Sequence, residues 1–167
     1  MRRPAAILVM ALSCGLTAPA LAQGARNITS LAGIDGIEVL VENLSNAQEA
    51  LGLSEDALRA DVLMRLRRGG VHVLSQVEEC GALPCLYIHV TSSPSGPGTT
   101  AYFVHLGLQQ LVSLSRDSAV SLSVETWRAL GRIGLAPNGQ VVERVRDAVR
   151  SEVDQFITAY QNANAGH

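Results

Sequence analysis

Alternation between apolar and polar residues predicts five β-strands. From Gly36 to Asn43, Ile37, Val39 and Val41 are separated by Glu38, Leu40 and Glu42, which is the period of a half-buried strand. Four later stretches read as strands, and short turn-forming segments separate them. The five predicted strands are residues 36–43, 71–77, 86–91, 100–114 and 120–127. Because short turns join antiparallel strands, the last four are expected to form a meander.

Apolar residues that recur every three or four positions predict the helices. Ser45 and Gln48 form a capping-box pair that begins a short helix. Ser54 caps a longer helix, and Gly69-Gly70 ends it. A last helix follows Asn138-Gly139. Each long helix has a single apolar stripe, so both are expected on the same face of the sheet.

The order of these elements predicts an α+β open-faced sandwich. A five-stranded, mostly antiparallel sheet follows the order strand, helices, four-strand meander and C-terminal helix, and its helices cover one face. The opening strand–helix–strand unit predicts that the first two strands are parallel neighbours. Residues 36–163 are then one domain, after a flexible lead-in at 23–35 and before a frayed tail at 164–167.

The N-terminus predicts export. Arg2 and Arg3 precede an apolar run from Ala5 to Leu16, and Ala20-Leu21-Ala22 follows as a cleavage site. These are the three parts of a secretory signal peptide, so residues 1–22 are expected to be removed near Ala22. The alternative is a lipoprotein that begins at Cys14. The apolar run is shorter than the about 20 residues that span a bilayer, and no later stretch qualifies.

The charge of the chain argues against nucleic-acid binding. The formal net charge is −2, and it becomes −4 when Arg2 and Arg3 leave with the signal. The chain has no lysine and no basic stripe. Nucleic-acid binding proteins gain most of their affinity by neutralising phosphates, and this domain lacks the charge to do so.

The cysteines predict a disulfide. Cys14 lies in the signal, which leaves Cys80 and Cys85 as an even pair in an oxidising compartment. They enclose Gly81-Ala82-Leu83-Pro84, so we expect a disulfide at the tip of a hairpin. Half a zinc site is the alternative, but no second pair of ligands stands at zinc-binding spacing.

Strand register predicts which side chains lie on each face of the sheet. The helix-covered face is expected to include Leu114, Leu122 and Val124. The opposite, uncovered face is expected to carry the candidate partner- or ligand-binding residues, with Trp127 opposite Gly107 and Tyr87 opposite His105. These candidates are Trp127, Tyr87, Phe103, His89, His105 and His72.

The composition of this face predicts an exported, non-enzymatic domain that binds a protein or cell-envelope partner there. Trp127 is the expected anchor. One alternative is that the aromatic residues only stabilise cross-strand pairs. Another is a small-molecule or metal-binding protein that uses His89 and His105. A hydrolase is a weaker alternative, since the sequence has no G-x-S-x-G elbow and no P-loop lysine. No catalytic residue, metal or cofactor is predicted.

Several blocks carry a resemblance to a known group of proteins. They are residues 36–42, 52–58, 66–71, 108–112, the Thr126-Trp127 pair and residues 154–160. With these blocks the chain resembles a group of small exported bacterial proteins of uncharacterised function. Members often have Thr-Trp-Ser-Thr-Gly where this chain has Thr126-Trp127-Arg128-Ala129-Leu130. The resemblance implies a shared fold and carries no activity.

Overall fold

The computed structural model describes residues 28–165, so the predicted signal peptide lies outside the described residues. The strands are β1 (Ile37–Val41), β2 (Val73–Gln76), β3 (Cys85–Pro94), β4 (Thr99–Leu114), β5 (Asp117–Arg128) and β6 (Arg132–Pro137). The helices are α1 (Asn46–Ala50), α2 (Glu55–Arg68) and α3 (Val141–Asn164), and a 3-10 turn at Asn138–Gln140 precedes α3. The predicted α+β open-faced sandwich is confirmed.

The strands form one open sheet in the order β2-β1-β3-β4-β5, and β6 also pairs with β4. β4 is long enough to have two neighbours along the same edge. Its first half pairs with β6 from Thr99 to Val104, and its second half pairs with β5 from Gly107 to Leu114. The sheet therefore has six strands rather than the predicted five, because β6 was not predicted.

The first two strands are parallel neighbours, as predicted, but the expected hairpin between β2 and β3 is wrong. β1 lies between these strands and is parallel to both of them. The segment after β2 therefore crosses β1, with the Val77 amide bonded to the Val39 carbonyl and the Pro84 carbonyl bonded to the Glu38 amide. The Cys80–Cys85 disulfide is present, at an S–S distance of 2.02 Å, and it closes this crossover rather than a hairpin tip.

Both long helices pack on one face of the sheet and share a single hydrophobic core with it. The apolar stripe of α2 consists of Leu58, Val62 and Leu66, and all three are fully buried. Phe156 of α3 is fully buried as well. Three ion pairs join the helices. Asp61 of α2 receives hydrogen bonds from two arginines of α3, Arg146 and Arg150, and Arg65 binds Asp154.

The described part of the predicted flexible lead-in is packed. Leu31 is fully buried, and its carbonyl accepts a hydrogen bond from the Asn164 amide at 3.1 Å. The Tyr160 hydroxyl donates to the Ile34 carbonyl at 2.8 Å. The core therefore begins before residue 36. Asn164, at the start of the predicted frayed tail, is the last residue of α3 and holds the N-terminal segment in place.

The outer ends of β4 and β5 form a two-stranded ribbon, residues 110–126, which the helices do not cover. β3 pairs with β4 only as far as Gln109. The prediction that Leu122 belongs to a helix-covered core is therefore wrong, because 45% of this residue is exposed. Leu114 and Val124 are only partly buried. Among residues 28–165, no helix is long and apolar enough to cross a membrane.

Candidate functional site

The uncovered face of the sheet is built on β3 and β4. Leu86, Ile88 and Val90 of β3 point into the core, so the alternate residues of this strand lie on the opposite face. His89 lies directly opposite His105, and Tyr87 lies opposite Gly107. The predicted pairing of Tyr87 with His105 is wrong by two residues. A shift of two leaves every side chain on its predicted face.

The loop between β3 and β4 explains this shift. β3 continues through Pro94, and the Ser95 amide bonds to the Thr99 carbonyl, which closes a loop shorter than the predicted one. Gly96 and Gly98 have φ values of 129° and 68°, a region that residues other than glycine rarely adopt. The turn therefore begins where the glycines allow it, and β3 ends three residues beyond the predicted end of the strand.

A row of acidic and histidine side chains crosses four strands of this face. Glu42 follows β1, His89 is on β3, His105 is on β4 and Glu125 is on β5. The His89 Nδ1–H donates to Glu42 Oε2 at 2.5 Å, and the His105 Nε2–H donates to Glu125 Oε2 at 2.6 Å. The Tyr87 hydroxyl also donates to Glu42. Each histidine of the central pair is therefore held by a carboxylate on its outer side.

His89 is the centre of a hydroxyl–imidazole–carboxylate chain. Its Nε2 is 2.6 Å from Thr91 Oγ1, and its Nδ1 contacts Glu42. Hydrolase triads have the same order of groups. Catalysis also requires a water-excluded site that stabilises the oxyanion. The side chains of His89 and Glu42 are 37% and 40% exposed, and Thr91 is exposed. On an open surface these hydrogen bonds orient the imidazole of His89, and they give no reason to assign a nucleophile.

Trp127 does not lie on the uncovered face, so this prediction is wrong. It pairs with Leu108 and is only 6% exposed. Its ring meets the Phe156 ring of α3 edge to face, at a centroid distance of 5.3 Å. Trp127 is therefore part of the core beneath α3, and it cannot be the anchor for a partner.

A β-bulge causes the reversal of Trp127. Gln109 pairs with Glu125 and Leu108 pairs with Trp127, which leaves Thr126 as an extra residue in β5. One extra residue sends the following side chain to the other face. The Thr126 hydroxyl compensates for the interruption by accepting a hydrogen bond from the Gln110 amide at 2.6 Å. Glu125 takes the space over Gly107 that was predicted for the indole.

His72 is also separate from the other candidates. It precedes β2, two strands away from β3 in the sheet. Its Nδ1 is 3.1 Å from the carbonyl oxygen of Asp35, and its ring lies next to Gly36. The structure therefore brings together Tyr87, His89, Phe103 and His105, and leaves out both His72 and Trp127.

An apolar patch lies beside the polar row. Phe103 pairs with Ile133 of β6, and Ala101 pairs with Leu135, so these side chains share the uncovered face. Ile133 is 85% exposed, Leu135 is 67% exposed and Phe103 is 39% exposed. We call Phe103, Ile133 and Leu135 the apolar patch. The Phe103 ring stacks beside the His105 ring at 6.4 Å, which joins the patch to the polar row.

The turn that leads into β6 is fixed from within the core. Gly131 has a φ of 74°, and the Phe103 ring lies 3.1 Å from the position that a Cβ would occupy there. The Gly131 amide donates to Glu152 Oε2 at 2.9 Å, and the Arg132 Nε is 3.3 Å from Glu152 Oε1. Glu152 is fully buried in α3. The Glu152 carboxylate therefore holds the start of β6 in a defined position through its contacts with Gly131 and Arg132. The apolar patch is held with it.

Sequence reasoning missed two parts of this site. β6 was missed, although Ile133 and Leu135 alternate with Arg132 and Gly134 before Pro137, which is a strand signal. Glu42 was recognised as an outward strand residue, but its contact with His89 depends on β1 lying beside β3. That neighbour relation joins residues 47 positions apart, and no local pattern encodes it.

No group of three or more histidine, cysteine or acidic side chains within residues 28–165 is arranged to hold a metal ion. An open depression of about 410 Å³ is lined by none of the residues of the polar row or the apolar patch. Its lining comes from the segment around the start of α2, at Glu49, Leu53, Ser54, Glu55 and Asp56. The uncovered face itself is a surface with apolar and charged areas side by side.

No protein-family model matches this chain, and no curated protein is similar enough to count as a relative.

Proposed function

We propose that this protein is an exported, non-enzymatic domain that binds a partner protein through the uncovered face of its sheet. The observation that carries the proposal is the apolar patch. Ile133 and Leu135 expose most of their side chains to water beside Phe103, although the helix-covered face of the same sheet has a well-filled core. Adjacent exposed apolar side chains of this size mark interaction surfaces more often than isolated ones do.

The polar row supplies the second part of a protein-binding surface. Protein interfaces combine an apolar centre with a polar rim, and aromatic residues are enriched in them. His105 lies next to Phe103 and is held by Glu125, while Tyr87 and His89 are held by Glu42. Because these side chains are already ordered by hydrogen bonds, binding costs less side-chain entropy than it would for freely rotating groups.

The disulfide supports export. Cys80 and Cys85 are bonded, and disulfides form and persist in oxidising compartments such as the periplasm or the exterior of the cell. We assign residues 1–22 to a cleaved signal peptide on the sequence pattern. The partner is then a protein of the periplasm, the cell envelope or the exterior.

A photo-crosslinking side chain at position 133 tests this function. The photo-crosslinking side chain replaces Ile133. When the exported protein is irradiated in its host, we expect this side chain to crosslink one defined envelope protein. Leu135→Glu in the same chain is expected to abolish the crosslink, since truncating or charging a true anchor costs about 2 kcal/mol or more of binding free energy. Both positions are highly exposed, so the thermal unfolding midpoint should stay unchanged.

Leu83 provides the matched control. It is 49% exposed and lies in the disulfide loop, away from the apolar patch. The same crosslinker at position 83 should not capture the protein that is captured at position 133. Equal capture at both positions, or capture that survives Leu135→Glu, would contradict the proposal.

A further inference from the structure

The outer ribbon has an unpaired edge. β5 pairs with β4 on one side, and within residues 28–165 no strand pairs with its other side. At its outer end β4 also extends past β3, so residues 110–126 are two strands without a third. Two-stranded hairpins are only marginally stable in water, and three or more strands are normally needed.

The other two edges of the sheet are protected, and this one is not. β2 has only four residues, and β6 begins at Arg132 and ends at Pro137. Natural proteins block edge-to-edge pairing by short strands, charges, prolines and bulges. β5 has twelve residues, and the stretch Ser118–Val124 contains neither a charge nor a proline. Its register irregularities lie only at the two ends of the ribbon.

The uncharged stretch is complementary to itself. Val120, Leu122 and Val124 alternate with Ala119, Ser121 and Ser123. Antiparallel pairing of two such strands about Leu122 places Leu122 opposite Leu122, and Val120 opposite Val124 on both sides. On the other face, Ser121 lies opposite Ser123 and Glu125 lies opposite Ala119, so no like charges face one another in this stretch. Val120 and Leu122 are 40% and 45% exposed without such a neighbour.

We propose that β5 of one copy pairs antiparallel with β5 of a second copy, about a two-fold axis at Leu122. The two ribbons become one four-stranded sheet, and each unpaired edge obtains main-chain hydrogen bonds. A second copy supplies apolar residues at the matching alternate positions by symmetry, and a partner of different sequence would need to supply the same pattern. The surface is separate from the apolar patch, so this inference goes beyond the proposed partner binding.

Charge does not oppose the approach of a second copy at this stretch. The exported chain is expected to carry a net charge of −4 after Arg2 and Arg3 are removed, so two copies repel one another weakly over most of their surface. Ser118–Val124 is the uncharged part of the edge, and it lets the two strands approach without that cost. The interface is narrow compared with the about 1,600 Å² of a standard-size interface, so we expect monomer and dimer to be in equilibrium.

Charge substitutions at the proposed axis give the sharpest test. The exported protein is studied by analytical ultracentrifugation from micromolar to near-millimolar concentration. We expect the unchanged protein to dimerise, and Leu122→Glu or Leu122→Lys alone to weaken the dimer by about tenfold or more, because each places two like charges opposite one another. An equimolar mixture of the two variants should dimerise again, since opposite charges then meet across the axis.

Leu111→Glu is the matched control. Leu111 is 51% exposed on the neighbouring strand of the same ribbon, away from the β5 edge. It should leave the dimer intact, and circular dichroism should show that all variants are folded. The proposal is overturned if the unchanged protein stays monomeric, or if Leu122→Glu dimerises as well as the unchanged protein. It is also overturned if the mixture of charged variants fails to dimerise, or if Leu111→Glu abolishes the dimer.

Discussion

At the scale of single residues, one extra side chain in β5 decides the role of Trp127. The predicted pairing is correct from Gln109 to Ser113, and it fails only where Thr126 is inserted. The bulge had no visible signal, because its stabilising contacts, from Thr126 to Gln110 and to the Leu108 carbonyl, come from side chains that look ordinary in the sequence. Gly107 has no side chain, so it leaves space for a large side chain of β5. The sequence could not show whether the indole of Trp127 or the carboxylate of Glu125 fills that space.

Trp127→Ala is therefore expected to destabilise the fold by about 3–5 kcal/mol, the cost of removing a buried aromatic side chain. Urea denaturation measures this loss, with Trp127→Phe as a control that keeps a ring against Phe156 and loses less. Trp127 is the only tryptophan of the chain, so its fluorescence reports on this position alone. Acrylamide should quench it weakly in the native protein and strongly in urea, and strong quenching in the native state would place the indole in water.

At the scale of elements, local patterns predicted the strands and helices well and their neighbours less well. The capping box at Ser45 and Gln48 and the buried stripe of α2 are present because they depend on residues close in sequence. The position of β1 between β2 and β3 depends on contacts between residues far apart in sequence, so no local pattern predicts it. The short segment that contains Cys80 and Cys85 has the sequence of a hairpin turn, but in the structure it crosses β1. β6 has an alternating pattern that was missed, and its position beside β5 along the single long strand β4 is a further non-local feature.

The joint between α2 and α3 gives a prediction about pH. Asp61 is buried, and the hydrogen bond from Arg146 is the main reason that its pKa lies below the ordinary value of 3.8, with further contributions from the charges of Arg146 and Arg150. A carboxyl group with a lowered pKa stabilises the fold above its unfolded pKa and loses this contribution as the pH falls through the folded value. The contribution is therefore complete at neutral pH and declines as the pH falls below 3.8 towards the lower pKa of the folded state.

Asp61→Asn should lower the free energy of unfolding by about 2 kcal/mol at neutral pH, the value of a charge-assisted hydrogen bond in a buried site. Urea denaturation at several pH values measures it, and the difference from the unchanged protein should shrink as the pH falls below 3.8. Asp154→Asn removes an exposed ion pair between the same helices and should cost less than about 1 kcal/mol. A cost for Asp61→Asn that does not depend on pH would show that the carboxylate charge is not responsible.

At the scale of the whole molecule, the two ends of the described chain hold one another. Residues 28–34 lie against the last turns of α3, where Asn164 bonds both to the Leu31 carbonyl and to the Gly33 amide. The small, polar character of residues 23–35 predicted a flexible lead-in, but Ile28, Leu31 and Ile34 recur every three residues, and all three lie in the core or pack against it.

Leu31→Ala is expected to lower the free energy of unfolding by about 3 kcal/mol, because it leaves a cavity between the N-terminal segment and the core. Ala32→Ser, at the next and exposed position, should change it by less than about 0.5 kcal/mol. Urea denaturation compares the free energies of unfolding of the two variants. Amide hydrogen exchange shows which residues lose protection in Leu31→Ala. Since the Tyr160 hydroxyl and the Asn164 side chain bind this segment, faster exchange is expected at the end of α3 as well. If Leu31→Ala has no larger effect than Ala32→Ser, residues 28–34 are the flexible lead-in that the composition predicted, and the core begins at β1.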